Sequence, residues 1–559
     1  MPPAFSSPLP GLPGLTLPLN FQPPDEDTEY GARLFPTALQ VQDLVDGTSI
    51  LPLRTLRELT MLRLMDHITD KPGWQRKVFN DELTDKWRDE LQGSGQDVSG
   101  KMLDFIIAEL RDKAEFYKEN EDIVIAYEGG IVKSDRAVSE HTRLALVDAV
   151  RVLEEESTPP DYHPGSDNKV VDLVHPSLFP LVYGKTHVLQ DRAIALEDAL
   201  NVHPSQGTVI PVPPAEETNL PSAKPDYVDY SRVKPILKPY SGKFQWLPSD
   251  VDLWGSDTGC KLASYINNLH PTRHARLYGL VEEIIDCAIP LWNLTLGPLG
   301  ERSGFLGSRM EDYYPSYRTE KPANGRRFTA DEVIQPEARD YHRVPTPYIG
   351  LQHSQWYKLQ VIVKLANIEL TPEKPEYAGG SWHVEGQLNE HICATALYYY
   401  DSVNITESRL SFRQESSFVQ HSYIPHQIDP WIGAVYGCKD HGPRVQEILS
   451  VQCRQGRLVT FSNIFQHRVV PFSLVDGTKP GHRKILALFL VDPNVTVIST
   501  ANVPVQRADW WEEGQDGTAG LMSMQEAKEF RDELMDERKA FAGDQDEAFH
   551  SLSFNLCEH

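Results

Sequence analysis

Residues 377 to 400 read YAGGSWHVEGQLNEHICATALYYY, and the fold of the chain turns on this stretch. Gly379-Gly380 marks a bend, His383 and Glu385 follow one residue apart, and from Ile392 the run becomes apolar and aromatic. Side chains of an extended segment alternate between faces, so His383 and Glu385 project to the same side. Two potential metal ligands therefore leave one face of a bend that leads into a strand.

A His-x-carboxylate pair is weak evidence alone. With 19 His and 80 acidic residues in 559, roughly three such pairs are expected by chance, yet only His383 has an acid two places on. Its weight comes from downstream. GRLVTFSNIFQHRVVPF (456–472) offers a strand, a turn and His467, and GHRKILALFLVDP (481–493) places Arg483 at the mouth of an alternating apolar strand. Two imidazoles, one carboxylate and a later guanidinium, in that order, are the ingredients of the facial triad of non-haem Fe(II) oxygenases that use 2-oxoglutarate. Alternation puts Arg483, Ile485, Ala487 and Phe489 on one face and Lys484 on the other. A bidentate guanidinium suits a carboxylate better than an ammonium, so Arg483 is the expected anchor and Lys484 the alternative. Asn463 or Gln466 is available to orient His467. Tyr398 to Tyr400 read as packing, with one alternate Tyr in reach of a 2-oxoglutarate carboxylate. His421, His426 and His441 lack matching partner spacing and read as structural or exposed, and Arg413 receives no role.

Working outward, WYKLQVIVKLANIEL, ICATALYYYDSVNI, SRLSFRQ, VQEILSVQC, GRLVTFSN and RKILALFLVDP are candidate strands between Gln352 and Pro493. Short strands separated by turns predict an antiparallel sandwich or barrel of jelly-roll type over 341–500. Upstream the period lengthens. In SGKMLDFIIAELRDKAEFY, Leu103, Ile106, Ile107, Leu110 and Ala114 fall on one helical stripe. HTRLALVDAVRVLEEE (141–156) reads as a helix ended by Ser-Thr-Pro-Pro. Residues 260–296 read as two helices divided at His270-Pro271. Pro176 and Pro180 exclude a regular helix from VVDLVHPSLFPLVYG (170–184), which lies in a loop-rich ordered stretch over 157–258. The expected class is α+β: a Pro-rich arm over 1–30 that is disordered or laid over the surface, a helical and loop-rich region over 31–340, the β core, and a 501–559 extension with a helix at 523–541.

The formal charge of −26 repels phosphate backbones, so no nucleic-acid partner is expected. Six dispersed Cys without a CxxC spacing indicate neither a zinc ribbon nor a disulfide framework, and no apolar run is long enough to cross a bilayer. An intracellular protein, cytoplasmic or nuclear, acting on a small-molecule or protein substrate is the expectation.

The blocks DLVHPSLFPLVYG, FQWLPSD, YINNLHP, ANIELTPEKPEYAGGSWHVEG and FSNIFQHRVVPF resemble a fungal family known only as a domain of unknown function. The block around His383 is in turn similar to 2-oxoglutarate and Fe(II)-dependent oxygenases of the prolyl-hydroxylase-like branch, whose fold is a double-stranded β-helix. Carried over residue by residue, the resemblance assigns His383, Glu385 and His467 to iron and Arg483 to 2-oxoglutarate. It implies Fe(II), 2-oxoglutarate as co-substrate and O2, and hydroxylation of a C–H bond with release of succinate and CO2. Two departures stand out. Glu385 replaces the commoner Asp, and the His467 to Arg483 interval of 16 is long, with PFSLVDGTKPG able to absorb the excess as a hairpin loop. Retention of the carboxylate argues against halogenation. A cupin-like metal enzyme would keep the triad without needing Arg483, and a non-catalytic binding protein would keep only the scaffold. DLVHPSLFPLVYG and FQWLPSD, rich in aromatic and apolar residues, are expected to wall the substrate pocket, with Trp246 in that wall.

Overall fold

The computed structural model describes residues 11–23, 34–39, 51–120, 122–157, 159–219, 238–253, 259–300, 308–311, 333–352, 357–417, 429–439, 442–511 and 518–551. His421, His426 and His441 lie outside them.

Helices form where a capped start meets an apolar stripe. The Thr55 side chain accepts the Glu58 N–H to open α1 (Leu56–Thr69), and Ser99 accepts the Met102 N–H to open α2 (Gly100–Glu119). The expected stripe of α2, from Leu103 to Ala114, is buried. Two short strands, β1 (Ile123–Tyr127) and β2 (Ile131–Ser134), precede α3 (Glu140–Glu156), which stops before Ser157 as the sequence indicates. Then come β3 (Val170–Val174), β4 (Ser249–Asp252), β5 (Lys261–Leu262) and α4 (Ala275–Gly300).

Only the second of the two helices expected over 260–296 forms. Lys261 and Leu262 pair instead with Asp252 and Val251, and the chain then turns through Asn268 at φ 63°. A left-handed Asn ends regular structure, while Ile266 and Leu269 are buried from the turns themselves. Burial alone does not make a helix.

All six candidate strands of the C-terminal half form: β6 (Lys358–Leu370), β7 (Ile392–Val403), β8 (Ser408–Ser417), β9 (Val445–Cys453), β10 (Leu458–Ser462) and, after the short β11 (Gln466–Val469), β12 (Gly481–Val491). The terminal helix α5 (Met524–Ser551) runs past the expected end at 541. The class is mixed α and β, with large antiparallel sheets. A nine-stranded sheet has the order β5-β4-β6-β12-β7-β10-β2-β1, with β3 also on β6. In the second sheet β8 pairs with β9 and β11. The expected barrel is not closed: the nine-stranded and the four-stranded sheet pack face to face, and the other described strands form three two-stranded sheets, because β7 and β12 continue the large sheet while β8 turns away to pair with β9. Strands from before residue 340 add to the edge of β6 away from β12 and to the edge of β10 away from β7, so the large sheet runs across the expected boundary.

The two faces of the large sheet have separate cores. Between the sheets lie Leu397, Tyr399, Leu410, Phe412, Phe461, Ala487 and Phe489, with Phe412 and Phe461 centroids 5.0 Å apart. On the other face Tyr398, Tyr400, Leu486 and Leu488 join Leu146 of α3 and Ile284 and Trp292 of α4. Each large side chain so buried contributes about 1.5–3 kcal/mol, which fixes the alternation of β7 and β12 firmly. The Pro-rich segment 11–23 is held by Leu12 and Leu19, both buried in a third cluster with Leu181 and Tyr183. No helix among the described residues is long and apolar enough to cross a membrane.

Candidate metal centre

His383 and His467 meet as an antiparallel pair. The His383 N–H donates to the His467 carbonyl at 3.1 Å, and the His467 N–H returns the bond to His383 at 2.9 Å. Directly opposed residues carry their side chains on one face, so the two imidazoles lie with centroids 4.4 Å apart. Glu385, two residues on, joins that face. Its Oε1 is 3.2 Å from His467 Nε2 and 3.8 Å from His383 Nε2. One ligand atom from each residue lies within 4.8 Å of the other two.

Each group is held by a different device. At Gly379, φ is 89° and a Cβ would come within 2.8 Å of the Val469 carbonyl oxygen, so glycine is required for the bend to fold onto β11. Asn463 accepts the Glu385 N–H at 3.1 Å and donates to the carbonyls of Glu385 at 3.1 Å and Ile392 at 3.0 Å. It fixes the loop that carries the carboxylate. The His383 Nδ1 lies 2.9 Å from the Ser381 carbonyl, which places its proton on Nδ1 and leaves Nε2 bare toward Glu385. The His467 ring is set by packing, 4.6 Å from Phe461 and 6.4 Å from Phe412, and its Nδ1 is buried without a hydrogen-bond partner among the described residues. Neither Asn463 nor Gln466 orients that ring, contrary to expectation. Gln466 points to the opposite face, where it accepts from Arg413 Nε at 2.6 Å and donates to Gln545 of α5 at 2.5 Å.

Burial alone would raise the Glu385 carboxyl and lower both imidazoles. Hydrogen bonds and charge from the two imidazoles instead hold Glu385 well below the ordinary carboxylate range. Against its own burial, His383 is raised by Glu385 and the Ser381 carbonyl, while His467 is lowered by burial and then by the charge of His383. A carboxylate beside two imidazoles is a donor set suited to a divalent transition metal.

Arg483 and Lys484 separate as alternation requires. Lys484 reaches outward to Glu154 Oε1 at 2.7 Å. Arg483 faces the space between the sheets, with 2% of its surface exposed. Its Nη1 donates to Ser408 Oγ at 2.6 Å, and its guanidinium lies 5.5 Å from the Tyr399 ring and 5.3 Å from Phe472. Its Nε has no partner and no carboxylate pairs with it among the described residues. A buried cation without a counter-ion is costly, which makes this cradle a place for an anionic group.

Sequence reasoning missed several neighbours. Lys364 stands opposite Ala487 in the β6–β12 register and therefore on the inner face; its charge is felt by His383. Arg413, left without a role, stacks 4.6 Å from the Trp382 ring, with Arg468 4.4 Å from the same ring, and it pairs with Asp546 of α5. The indole so clamped anchors the residue before His383. Alternation could have flagged Lys364, a charge on the same face as Ile362 and Ala366; nothing local pointed to α5. Trp246 packs flat against Phe489 at 5.9 Å, donates from Nε1 to Ser177 Oγ at 3.0 Å and carries Arg538 3.9 Å above it. It joins the two aromatic family blocks to the inner face of β12.

A family model described as "Protein of unknown function (DUF4246)" matches residues 100–514, and one described as its N-terminal domain matches 12–90. The chain belongs to the DUF4246 family. That description carries no activity. No curated protein matches the chain. Among solved structures it is similar to an Fe(II)/α-ketoglutarate-dependent dioxygenase, TqaL, with 11% identity over 66% of this chain and 99% of that one at a TM-score of 0.21. IDO from Bacillus thuringiensis is matched at 11% identity over 24% and 46% with a TM-score of 0.16, and the non-heme monooxygenase ThoJ at 13% over 34% and 68% with a TM-score of 0.16. The chain spans less than half the length of the first two solved structures it matches. Likenesses at these TM-scores fix neither fold nor activity for this DUF4246 chain.

Proposed function

We propose that this DUF4246 protein is an Fe(II)- and 2-oxoglutarate-dependent oxygenase that hydroxylates a C–H bond of its substrate. The observation that carries the reading is the opposed His383–His467 pair with Glu385 on the same face, beside an inward-facing Arg483 that has no carboxylate of its own. Strand order supports it. In the large sheet β6-β12-β7-β10 are neighbours, and in the small sheet β11-β8-β9, with the His383 segment on the outer side of β11. Four antiparallel strands of the large sheet facing three of the small sheet and the bridged His383 segment support a double-stranded β-helix or jelly-roll reading.

With 2-oxoglutarate and O2, an Fe(II) ion supplies oxidative decarboxylation to succinate and CO2 coupled to C–H hydroxylation. The residues of the chain do the rest. His383, Glu385 and His467 would hold the ion from one side and leave its other positions open. Arg483 would bind the distal carboxylate of 2-oxoglutarate as a charge-assisted pair, and Ser408 and Tyr399 line the same cradle. Phe461, Phe412 and Phe489 keep the enclosed space apolar, which excludes water and strengthens each polar contact made within it. Trp246 walls that space.

Purified protein given Fe(II), 2-oxoglutarate and O2 should form succinate, slowly without substrate, and both His383→Ala and Arg483→Ala should abolish or strongly lower it. Succinate formation that is unchanged in His383→Ala would remove the metal assignment.

A further inference from the structure

Among the described residues one other group of side chains brings ligand atoms of metal-binding type together, namely His163, Asp172 and His175. Their assembly is local. Residues 161–163 run beside β3, with the His163 N–H on the Val170 carbonyl and the Asp172 N–H on the Asp161 carbonyl, each at 2.9 Å. This places His163 against Asp172, with Nδ1 2.8 Å from Oδ2. Pro176 then breaks the strand and turns His175 back, so that the His163 and His175 rings lie 5.2 Å apart. One nitrogen of each ring and a carboxylate oxygen fall within 4.8 Å of one another.

Asp172 decides what the group can hold. Its side chain is fully buried, and one oxygen, Oδ1, has no hydrogen-bond partner among the described residues. A buried carboxylate oxygen left unpaired is expensive unless a cation or a donor completes it. His175 Nδ1 accepts the Ser177 N–H at 3.2 Å, a bond that an ion held by His175 at Nδ1 would displace. Two nitrogens and one oxygen suit a divalent transition metal of zinc type better than calcium or magnesium, which prefer oxygen alone. The place is also telling. Asp172 pairs with Ala366 of β6, which in turn pairs with Ile485 of β12, and the charge of Lys364 reaches Asp172, His175 and His383 alike. His175 meets Trp246 edge to face at 6.4 Å. The group therefore lies at the edge of β6, on the sheet face that carries Lys364 and Ile485, and touches Trp246.

We infer that His163, Asp172 and His175 form a second divalent-metal site, distinct from His383, Glu385 and His467, in which Asp172 Oδ1 takes a direct bond to the ion. The two sites stand or fall separately.

The full chain, stripped with chelator and titrated anaerobically with Co(II), reads both at once by metal content and by the visible bands of the bound ion. Wild type is expected to bind two Co(II) per chain. Asp172→Asn with His163→Gln should bind one, and His383→Ala with His467→Ala should bind the other. If the Asp172 variant fails to fold by circular dichroism, His163→Gln alone, at a half-buried position, should weaken one ion by more than the roughly 10- to 100-fold that loss of an outer-shell partner costs. Two ions of unchanged affinity in these Asp172 and His163 variants overturn the inference. So does a wild type that binds one ion lost with His383 and His467. A wild type whose single ion is lost with Asp172 and His163 upholds it and removes the iron assignment instead.

Discussion

Two buried polar assemblies sit in this fold, and they differ in whether their charges close. Beneath α1 and α2, Arg309 binds Glu109 at 2.7 and 2.8 Å and Glu128 at 2.5 and 2.8 Å. Arg54 binds Glu58 at 2.7 Å and Glu128 at 3.3 Å, and Lys113 reaches Glu109 at 3.3 Å. Three cations meet three carboxylates. Around His383, by contrast, one carboxylate faces two imidazoles, and Arg483 faces none. A network that closes on itself holds the fold together. One that leaves donors aimed at a common point is the arrangement that supports the proposed metal site.

The largest test of that contrast is Arg309→Met. It leaves three buried carboxylates to the two remaining cations, Arg54 and Lys113, and should cost about 3–5 kcal/mol in denaturant unfolding. His383→Ala should change stability by about 1 kcal/mol or less while removing the metal. The sign with pH follows. Burial would raise Glu109 and Glu128, but the charge of Arg309 holds both below their ordinary range, Glu128 far below. Their contribution is thus complete above the unfolded carboxylate value and is lost as pH falls through it toward the folded one. The gap between wild type and Arg309→Met should therefore narrow below about pH 4.5.

Next in size is Arg483→Ala, which should weaken anaerobic 2-oxoglutarate binding roughly 30-fold or more. Because the guanidinium is buried without a counter-ion, the same change should leave the ligand-free protein as stable or more so, the opposite of Arg309→Met. Lys484→Ala removes a half-exposed pair with Glu154, should cost about 1 kcal/mol or less, and should leave 2-oxoglutarate affinity alone. A fall in affinity with Lys484 and none with Arg483 would invert the inner and outer faces of β12. The smallest effect expected is at Lys364. Lys364→Met removes a cation whose field reaches His383 and should tighten metal binding roughly threefold or more; weaker binding would instead make Lys364 part of the site.

Much of this was legible in the sequence, and for a common reason. The alternation of GHRKILALFLV and the stripe of α2 are local periodicities, and burial of each apolar face enforces them. His383, Glu385 and His467 could be read because residue spacing and chain order bring them near. What escaped depends on contacts between distant segments. Strands β1 to β5 joined the sheet from sequences too short or too polar to announce themselves. Lys261 left a helical pattern for an open strand edge at Val251 and Asp252. Arg413 gained its role from Trp382 and from Asp546 of α5, 133 positions away. His163 and Asp172 come together only through the pairing of 161–163 with β3.

The most direct test of the central claim is anaerobic titration of the Fe(II)-loaded protein with 2-oxoglutarate, followed by visible absorption. The expected result is a charge-transfer band that saturates at one 2-oxoglutarate per chain, requires the imidazoles of His383 and His467, and shifts to higher 2-oxoglutarate concentration in Arg483→Ala. A folded wild-type protein that takes up Fe(II) yet gives no band at any concentration would contradict the use of 2-oxoglutarate, and one that takes up no Fe(II) would contradict the metal centre itself.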